Sequence, residues 1–349
     1  MRPLKVIHVA NLMLRAKGAG YFGVPFKISN GLARAGHNVL NFSDRDIARA
    51  STIFRTTKAG IKGVNRKLLE VAADFQPDLV LFGHADTIRP ETLDRLRHLV
   101  PGVHLAQWNV DPLFEADNVA RITGKIGRVD VTFVSTAGPM LHDLGQGRYR
   151  VAFLPNPVDP SIERARCFDM ARDALAADLF FPAGLGTEPR FHAGRTTCGN
   201  DIARLIQGRL PDLRCDFPGV NGAPRKFGRA YEIALSNAAM GLNLSRRNDV
   251  HLYTSDRMAH LAGSGVLTFI DRATDYGQLF GEDELAFYGS EDELIERLAF
   301  FHADDAARRR VAEAGWAAYR ALFDCTRVAA YMIAVLFEGL DPEAYRWAR

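Results

Sequence analysis

The stretch YTSDRMAHLAGSGVLTFID, residues 253–271, joins a hydroxyl-rich helix start, an arginine and a glycine turn to an apolar strand. Ser255 is the expected cap of a short helix, and Arg257 falls in its first turn. Gly263-Ser264-Gly265 then breaks the pattern before an apolar strand that closes on Asp271. Free N–H groups at a helix start, an adjacent arginine and a glycine turn at Gly265 that admits a close neighbour together suit a phosphate. The same spacing also describes a capped surface helix with a glycine stop, and spacing alone leaves both readings open. Other cations follow apolar strands in the same half: Arg190 and Arg195 in GLGTEPRFHAGR, Lys226 in NGAPRKFG, and Arg246 just beyond GLNLS. Each alone reads as a solvated charge. Several at the carboxyl ends of strands in one parallel sheet converge by construction, and a guanidinium fork fits phosphate oxygens better than an amine. Arg190 and Arg246 are favoured, with Asn243 a polar neighbour for ligand hydroxyls.

Proton chemistry points to the first half. FGHAD places His84 and Asp86 just beyond an apolar strand, and WNVDP places Asp111 beyond the next. A histidine or carboxylate there could take a proton from a hydroxyl nucleophile. His84 suits a structural hydrogen bond equally well, and Asp86 is the weaker candidate. AKGAGYFG, residues 16–23, follows the first strand, but the acidic partner of a dinucleotide fingerprint is poorly placed. Gly18 and Gly20 read better as a loop beside the phosphates or the second substrate. His8, inside the first strand, reads as a satisfied core histidine.

These groups must be held by an α/β framework. Short apolar runs alternate with helical patterns: LKVIHVA, NVLNF, DLVLF, VHLAQW, VDVTFV and VAFLP, then DLFFPAG, LRCDFPG, GLNLS, VLTFI and ELAFYG. Continuous apolar strands separated by helices predict parallel sheets covered on both faces. The proline-rich NPVDPSIERA marks a joint. At 349 residues the chain suits two domains of roughly 150 residues each. The expected division is residues 1–157, residues 158–325 and a helical tail, residues 326–349, with the site between two doubly wound domains.

With 47% apolar and 24% charged residues and a net charge of +3, the composition is that of an ordinary globular protein. Cys167, Cys198, Cys215 and Cys325 lack any C-x-x-C spacing, which argues against a zinc site or disulfide framework and favours the cytoplasm. The apolar start is too short for a signal peptide, and AAYMIAVLF is far short of a membrane span. Residues 49–67 hold Arg49, Arg55, Lys58, Lys62, Arg66 and Lys67 and no acid, interleaved with Ile53, Phe54 and Ile61. A solvated face is the plain reading. The one-sided charge also allows contact with an anionic membrane or acceptor, whereas the shortage of stacking aromatics argues against nucleic acid.

Several segments taken in order resemble a known family. RAGHNVLNF resembles the second strand of GT-B glycosyltransferases. PDLVLFGHADTIRPETLDRLR, QWNVDPLFEADN and LPNPVDP resemble the CgeB-like, spore-maturation-type branch. FGRAYEIALSNAAMGLNLSRR and SDRMAHLAGSGVLTFIDRATDYGQLFGEDELAFYGSEDELIERL resemble that branch's nucleotide-sugar module. The resemblance covers nearly the whole chain. It implies a GT-B fold: an N-terminal acceptor domain, a C-terminal donor domain, and a last helix crossing back. It further implies transfer of a sugar from a nucleotide-diphosphate donor to a glycan, lipid or protein acceptor, with no cofactor. With no D-x-D pair in a donor loop, no metal is implied either. One position departs: where retaining GT-B enzymes usually carry a ribose-holding glutamate, this chain has His260, which cannot offer a bidentate acceptor pair. A sugar-nucleotide 2-epimerase and a non-catalytic nucleotide-sugar binder are the rival readings.

Overall fold

The computed structural model describes residues 2–15, 20–345 and 347, and Gly18 of the glycine loop lies outside them. The chain divides into two compact units, Met1–Pro157 with Cys325–Arg349, and Val158–Asp324. In the first unit six parallel strands lie in the order β2-β1-β3-β4-β5-β6. They are β1 (Lys5–Ala10), β2 (Asn38–Ser43), β3 (Leu79–Gly83), β4 (His104–Asn109), β5 (Val131–Val134) and β6 (Val151–Phe153). All five residues of β3 and all four of β5 are buried, as a sheet layered between helices requires. The core joins Ile7 and Val9 of β1 to Val64 and Leu68 of helix Ile61–Phe75 and to Leu93 and Leu96 of helix Pro90–Leu99. The first helix, Val24–Arg34, starts with proline in its first turn. It packs on the last, Cys325–Phe337, through Gly31: a Cβ there would stand 2.1 Å from the Cys325 carbonyl oxygen.

The second unit holds five parallel strands in the order β10-β7-β11-β12-β13. They are β7 (Ala177–Phe180), β10 (Cys215–Asp216), β11 (Ala238–Asn243), β12 (Leu267–Asp271) and β13 (Ala286–Tyr288). An antiparallel hairpin, β8 (Pro189–His192) with β9 (Arg195–Cys198), is inserted after β7. The strand series read from the sequence has no strand in this stretch. The hairpin turns on Ala193 and Gly194, both with φ in the left-handed region, and is anchored by Phe191, whose N–H donates to Arg246 O (2.8 Å). The basic stretch, residues 49–67, spans the end of one helix and the start of the next. Helix Asp44–Ala50 ends, residues 51–60 form turns, and helix Ile61–Phe75 begins anew.

In both sheets the strand order reverses beside the first strand of the unit, between β1 and β3 and between β7 and β11. Parallel sheets bind ligands outside the carboxyl ends of strands at such points. The loops that follow these four strands are where chemistry is to be sought.

Candidate functional site

In the second unit the loops after β7 and β11 bring three arginines together. The hairpin carries Arg190 inward until only 4% of it is exposed, and its Nη1 donates to Leu244 O at 2.9 Å. Arg257, from the first turn of helix Arg257–Gly263, donates through Nη1 to the same carbonyl at 3.0 Å and to Ser255 Oγ at 3.2 Å. Arg246 lies across Glu188 from Arg190, with Glu188 3.8 Å from Arg190 Nη2 and 3.6 Å from Arg246 Nη2. Burial, then the charge of Arg257, pulls the Arg190 pKa down to about 10, and burial lowers that of Arg257. Both stay protonated at neutral pH, so cations are held near one another at a desolvation cost. Asn243, the last residue of β11, is fully buried, and neither its side-chain oxygen nor its nitrogen has a partner; Arg190 Nε also lacks one. Buried polar atoms normally find partners, and orphans of this kind cost about 1–3 kcal/mol each; a polar ligand could supply the missing partners here. Negative charge would suit the guanidinium groups and hydroxyls the amide.

The other cations named from sequence stand apart. Arg195, at the start of β9, is exposed and paired with Glu291, and Lys226 reaches Asp216 of the edge strand at 2.5 Å. Ser255 does not cap the helix. The cap position is Asp256 in helical geometry, whose carboxylate turns one turn onward to His260 Nε2 at 3.1 Å, while Ser255 N–H donates to Ser245 Oγ. The glycine turn serves protein packing: a Cβ on Gly265, φ +70, would meet Phe168 at 2.5 Å, and one on Gly263 would meet Val158 at 2.4 Å. His260 sits between two acids, with Nδ1 2.8 Å from the buried Glu163 Oε1, and Tyr231 rests edge-on at 5.7 Å. Sequence reading missed Glu163, which is 97 positions from His260, and Glu188, which stands two positions before Arg190.

In the first unit the loops after β3 and β4 bring His84 and Asp111 together, with Nδ1 and Oδ2 3.3 Å apart. Arg121 holds the same carboxylate oxygen at 3.0 Å, and Asn109 Oδ1 accepts from the Asp111 N–H at 2.7 Å. His84 and Ala85 both adopt positive φ, +56° and +42°, a conformation that costs free energy in residues other than glycine. Several contacts hold this loop. Lys125 Nζ donates to His84 O at 3.4 Å, Arg45 pairs with Asp86 at 2.7 Å, and Thr87 Oγ1 donates to the buried Asp44 at 2.7 Å. Burial lowers the Lys125 pKa and raises that of Asp44. Behind the loop, the Trp108 ring lies edge-on to His84 at 5.5 Å and fills the space where a Gly83 Cβ would fall, 2.2 Å from it. Trp108 Nε1–H donates to His8 Nε2 at 3.0 Å. The neutral His8 therefore carries its proton on Nδ1 and donates to Ser29 Oγ at 2.7 Å. Burial pushes the His8 pKa down to about 3. Asp86, bonded to Arg45, does not join the pair, and Gly20 packs against Met13, its Cβ position 2.9 Å from Sδ.

His84 Nδ1 lies within ion-pair range of the Asp111 carboxylate, and a histidine beside a carboxylate could serve as a proton acceptor. Among the described residues no group of three or more His, Cys, Asp and Glu side chains could hold a metal ion, and no helix is long and apolar enough to cross a membrane.

Residues 202–334 match a family described as glycosyl transferase-like. Comparison with curated proteins gives no match. Among solved structures, Anabaena Alr3699/HepE, crystallised with UDP and glucose, aligns with TM-score 0.57 at 11% identity over 97% of this chain and 100% of that one. A UDP-forming α,α-trehalose-phosphate synthase from Burkholderia xenovorans aligns with TM-score 0.56 at 13% identity, over 95% and 98% of the two chains. A Listeria monocytogenes protein assigned as a UDP-N-acetylglucosamine 2-epimerase aligns with TM-score 0.55 at 11% identity, over 98% of each chain. The fold is that of GT-B glycosyltransferases.

Proposed function

We propose that the chain is a metal-independent glycosyltransferase, which moves a sugar from a nucleoside-diphosphate donor to the hydroxyl of a glycan, lipid or protein acceptor at the cytoplasmic side. The observation that carries the reading is the convergence of Arg190 and Arg257 on Leu244 O, with Arg246 beyond and Asn243 unpartnered in the same switch-point loops. As the bond between sugar and diphosphate breaks, negative charge builds on the leaving phosphate oxygen. Positioned guanidinium groups stabilise that charge most where water is scarce. Val158–Asp324 is thus the donor unit, with Asn243 placed for sugar hydroxyls. Met1–Pro157 is the acceptor unit, where His84, held by Asp111, takes the proton that the acceptor oxygen loses as it bonds to the sugar. Neither a redox cofactor nor a metal is needed for these steps. The matched family segment and the likeness to enzymes acting with UDP support the reading, and the motif order supports the CgeB-like branch.

Thermal-shift screening against nucleoside diphosphates and nucleotide sugars tests it. A ligand at one hundred times its dissociation constant should stabilise the protein by about 2.7 kcal/mol. Absence of any shift across a full panel removes the donor assignment. The likeness to the Listeria protein keeps epimerisation as a second reading. An epimerised sugar nucleotide formed without acceptor selects it over transfer.

A further inference from the structure

Ile53 and Phe54 are 90% and 73% exposed, the most exposed large apolar side chains among the described residues. They stand together at the tip of the turn that joins helices Asp44–Ala50 and Ile61–Phe75. The tip is built. Thr52 Oγ1 accepts from Phe54 N, Thr52 O accepts from Arg55 N at 3.1 Å, and Thr56 Oγ1 accepts from Ala59 N at 3.2 Å. Its base is clamped where the helices meet. A Cβ on Gly60 would fall 1.7 Å from Ala48 O, and one on Gly63 would fall 2.4 Å from the Ser51 Cβ. A rooted turn that holds two large apolar side chains in water is maintained against the hydrophobic effect, which points to an apolar partner.

Charge identifies that partner. Arg55 and Lys58 lie in the same turn and Lys62 in the first turn of the helix that follows; all three are exposed and have no carboxylate within ion-pair distance among the described residues. Arg49, Arg66 and Lys67 extend the same sign toward the helices. Their acidic neighbours, Asp46 and Glu70, both lie outside residues 49–67. A second copy of the chain pairing tip to tip would bring like charges together over a small apolar area, far below that of a stable interface. A single aromatic gives no stacking row for nucleic acid. An anionic bilayer offers both an apolar layer for Ile53 and Phe54 and phosphate groups for the cations.

We infer that residues 51–62 dock the protein on an anionic phospholipid membrane, with Ile53 and Phe54 entering the headgroup boundary and Arg55, Lys58 and Lys62 binding lipid phosphates. The inference does not rest on the transferase reading, because vesicle binding is measured without any nucleotide. The test is flotation of the full chain with phosphatidylcholine vesicles, with and without phosphatidylglycerol. Binding should require the anionic lipid and fall steeply as salt rises. I53S/F54S should weaken it at least about tenfold. K58E/K62E should abolish it, since each surface cation contributes about a fivefold factor. Phe54→Trp should give a blue-shifted emission difference from the parent on anionic vesicles. Melting temperatures of these surface variants should match the parent. Failure to float with anionic vesicles, undiminished flotation of I53S/F54S, an unshifted emission from Phe54→Trp, or light scattering that shows tip-dependent dimers would each overturn the inference.

Discussion

Replacing Arg190 separates the demands of folding from those of binding, because the two pull in opposite directions. Arg190 and Arg257 donate to the same oxygen at 2.9 and 3.0 Å, so their nitrogens are at most about 6 Å apart. Two unit charges at that distance repel by about 3 kcal/mol at an effective dielectric constant near 20. The nearby carboxylate, Glu188, lies 3.8 Å from Arg190 and also faces Arg246, so it offsets only part of this. Arg190→Met keeps much of the apolar stem, removes the repulsion and relieves a buried charge. Leu244 O is not orphaned, since Arg257 still donates to it. Melting temperature without ligand should therefore stay level or rise. In the complex the diphosphate offsets the cations, and loss of one charged hydrogen bond there costs about 1.5–3 kcal/mol, a tenfold to hundredfold weaker dissociation constant. Calorimetric titration with nucleoside diphosphate, beside a thermal melt of the free protein, reads both quantities. A variant that melts several degrees lower yet binds as tightly as the parent would refute the assignment, because Arg190 would then be a structural strut.

Asp111→Asn should lower the transfer rate by about a hundredfold or more, the contribution of an oriented base, while calorimetry shows unchanged nucleotide affinity; parental turnover would remove the dyad from the mechanism. His8, held near pKa 3 against 6.5 in the unfolded chain, binds a proton more readily once unfolded, so stability must fall as pH drops from 6.5 toward 3. Urea titrations should show a loss from this residue of about 1.4 kcal/mol by pH 5.5 and about 2.7 by pH 4.5, largely absent in H8Q; an identical acid loss in H8Q would contradict the buried neutral ring. His260→Glu, which places there the glutamate that retaining GT-B enzymes usually carry, should destabilise the free protein at neutral pH by at least about 3 kcal/mol, since a third carboxylate would face Glu163 and Asp256. Denaturant midpoints equal to the parent would show that the acids tolerate it.

The strands could be read from sequence because burial on both faces leaves continuous apolar runs such as LVLFG and AAMGLN, whose meaning is local. The β8–β9 hairpin could not. PRFH and RTTC lack an apolar alternation, and its turn uses Ala193 where an asparagine or glycine would have announced it. The cue present was Gly194, following Ala193 in the turn. Arg190 was chosen for following a strand, but its inward aim comes from the Phe191 anchor on Arg246, 55 positions onward. Arg195 and Lys226 were legible as charges, whereas their engagement by Glu291 and Asp216 is tertiary. His84 and Asp111 were legible one at a time as polar residues ending adjacent strands, and the β3–β4 register that pairs Gly83 with Trp108 makes them neighbours.

The departure at His260 is explained by residues far from it in sequence. Glu163 lies buried in the segment that enters the second unit; its Oε2 accepts from the Asp159 N–H at 2.8 Å, and its Oε1 needs a second donor. Histidine supplies that donor and, through Nε2, also meets Asp256. An acid stands on either side of the ring, and Asp256, the less buried of the two, adjoins Arg257 in the first turn of the helix. Charge is sorted along this short helix: Arg257 joins an excess of cations at Leu244 O, while His260 stands between two acids one turn on. A substitution that alters either balance acts on folding and ligand binding through different neighbours, so the two effects can be measured apart.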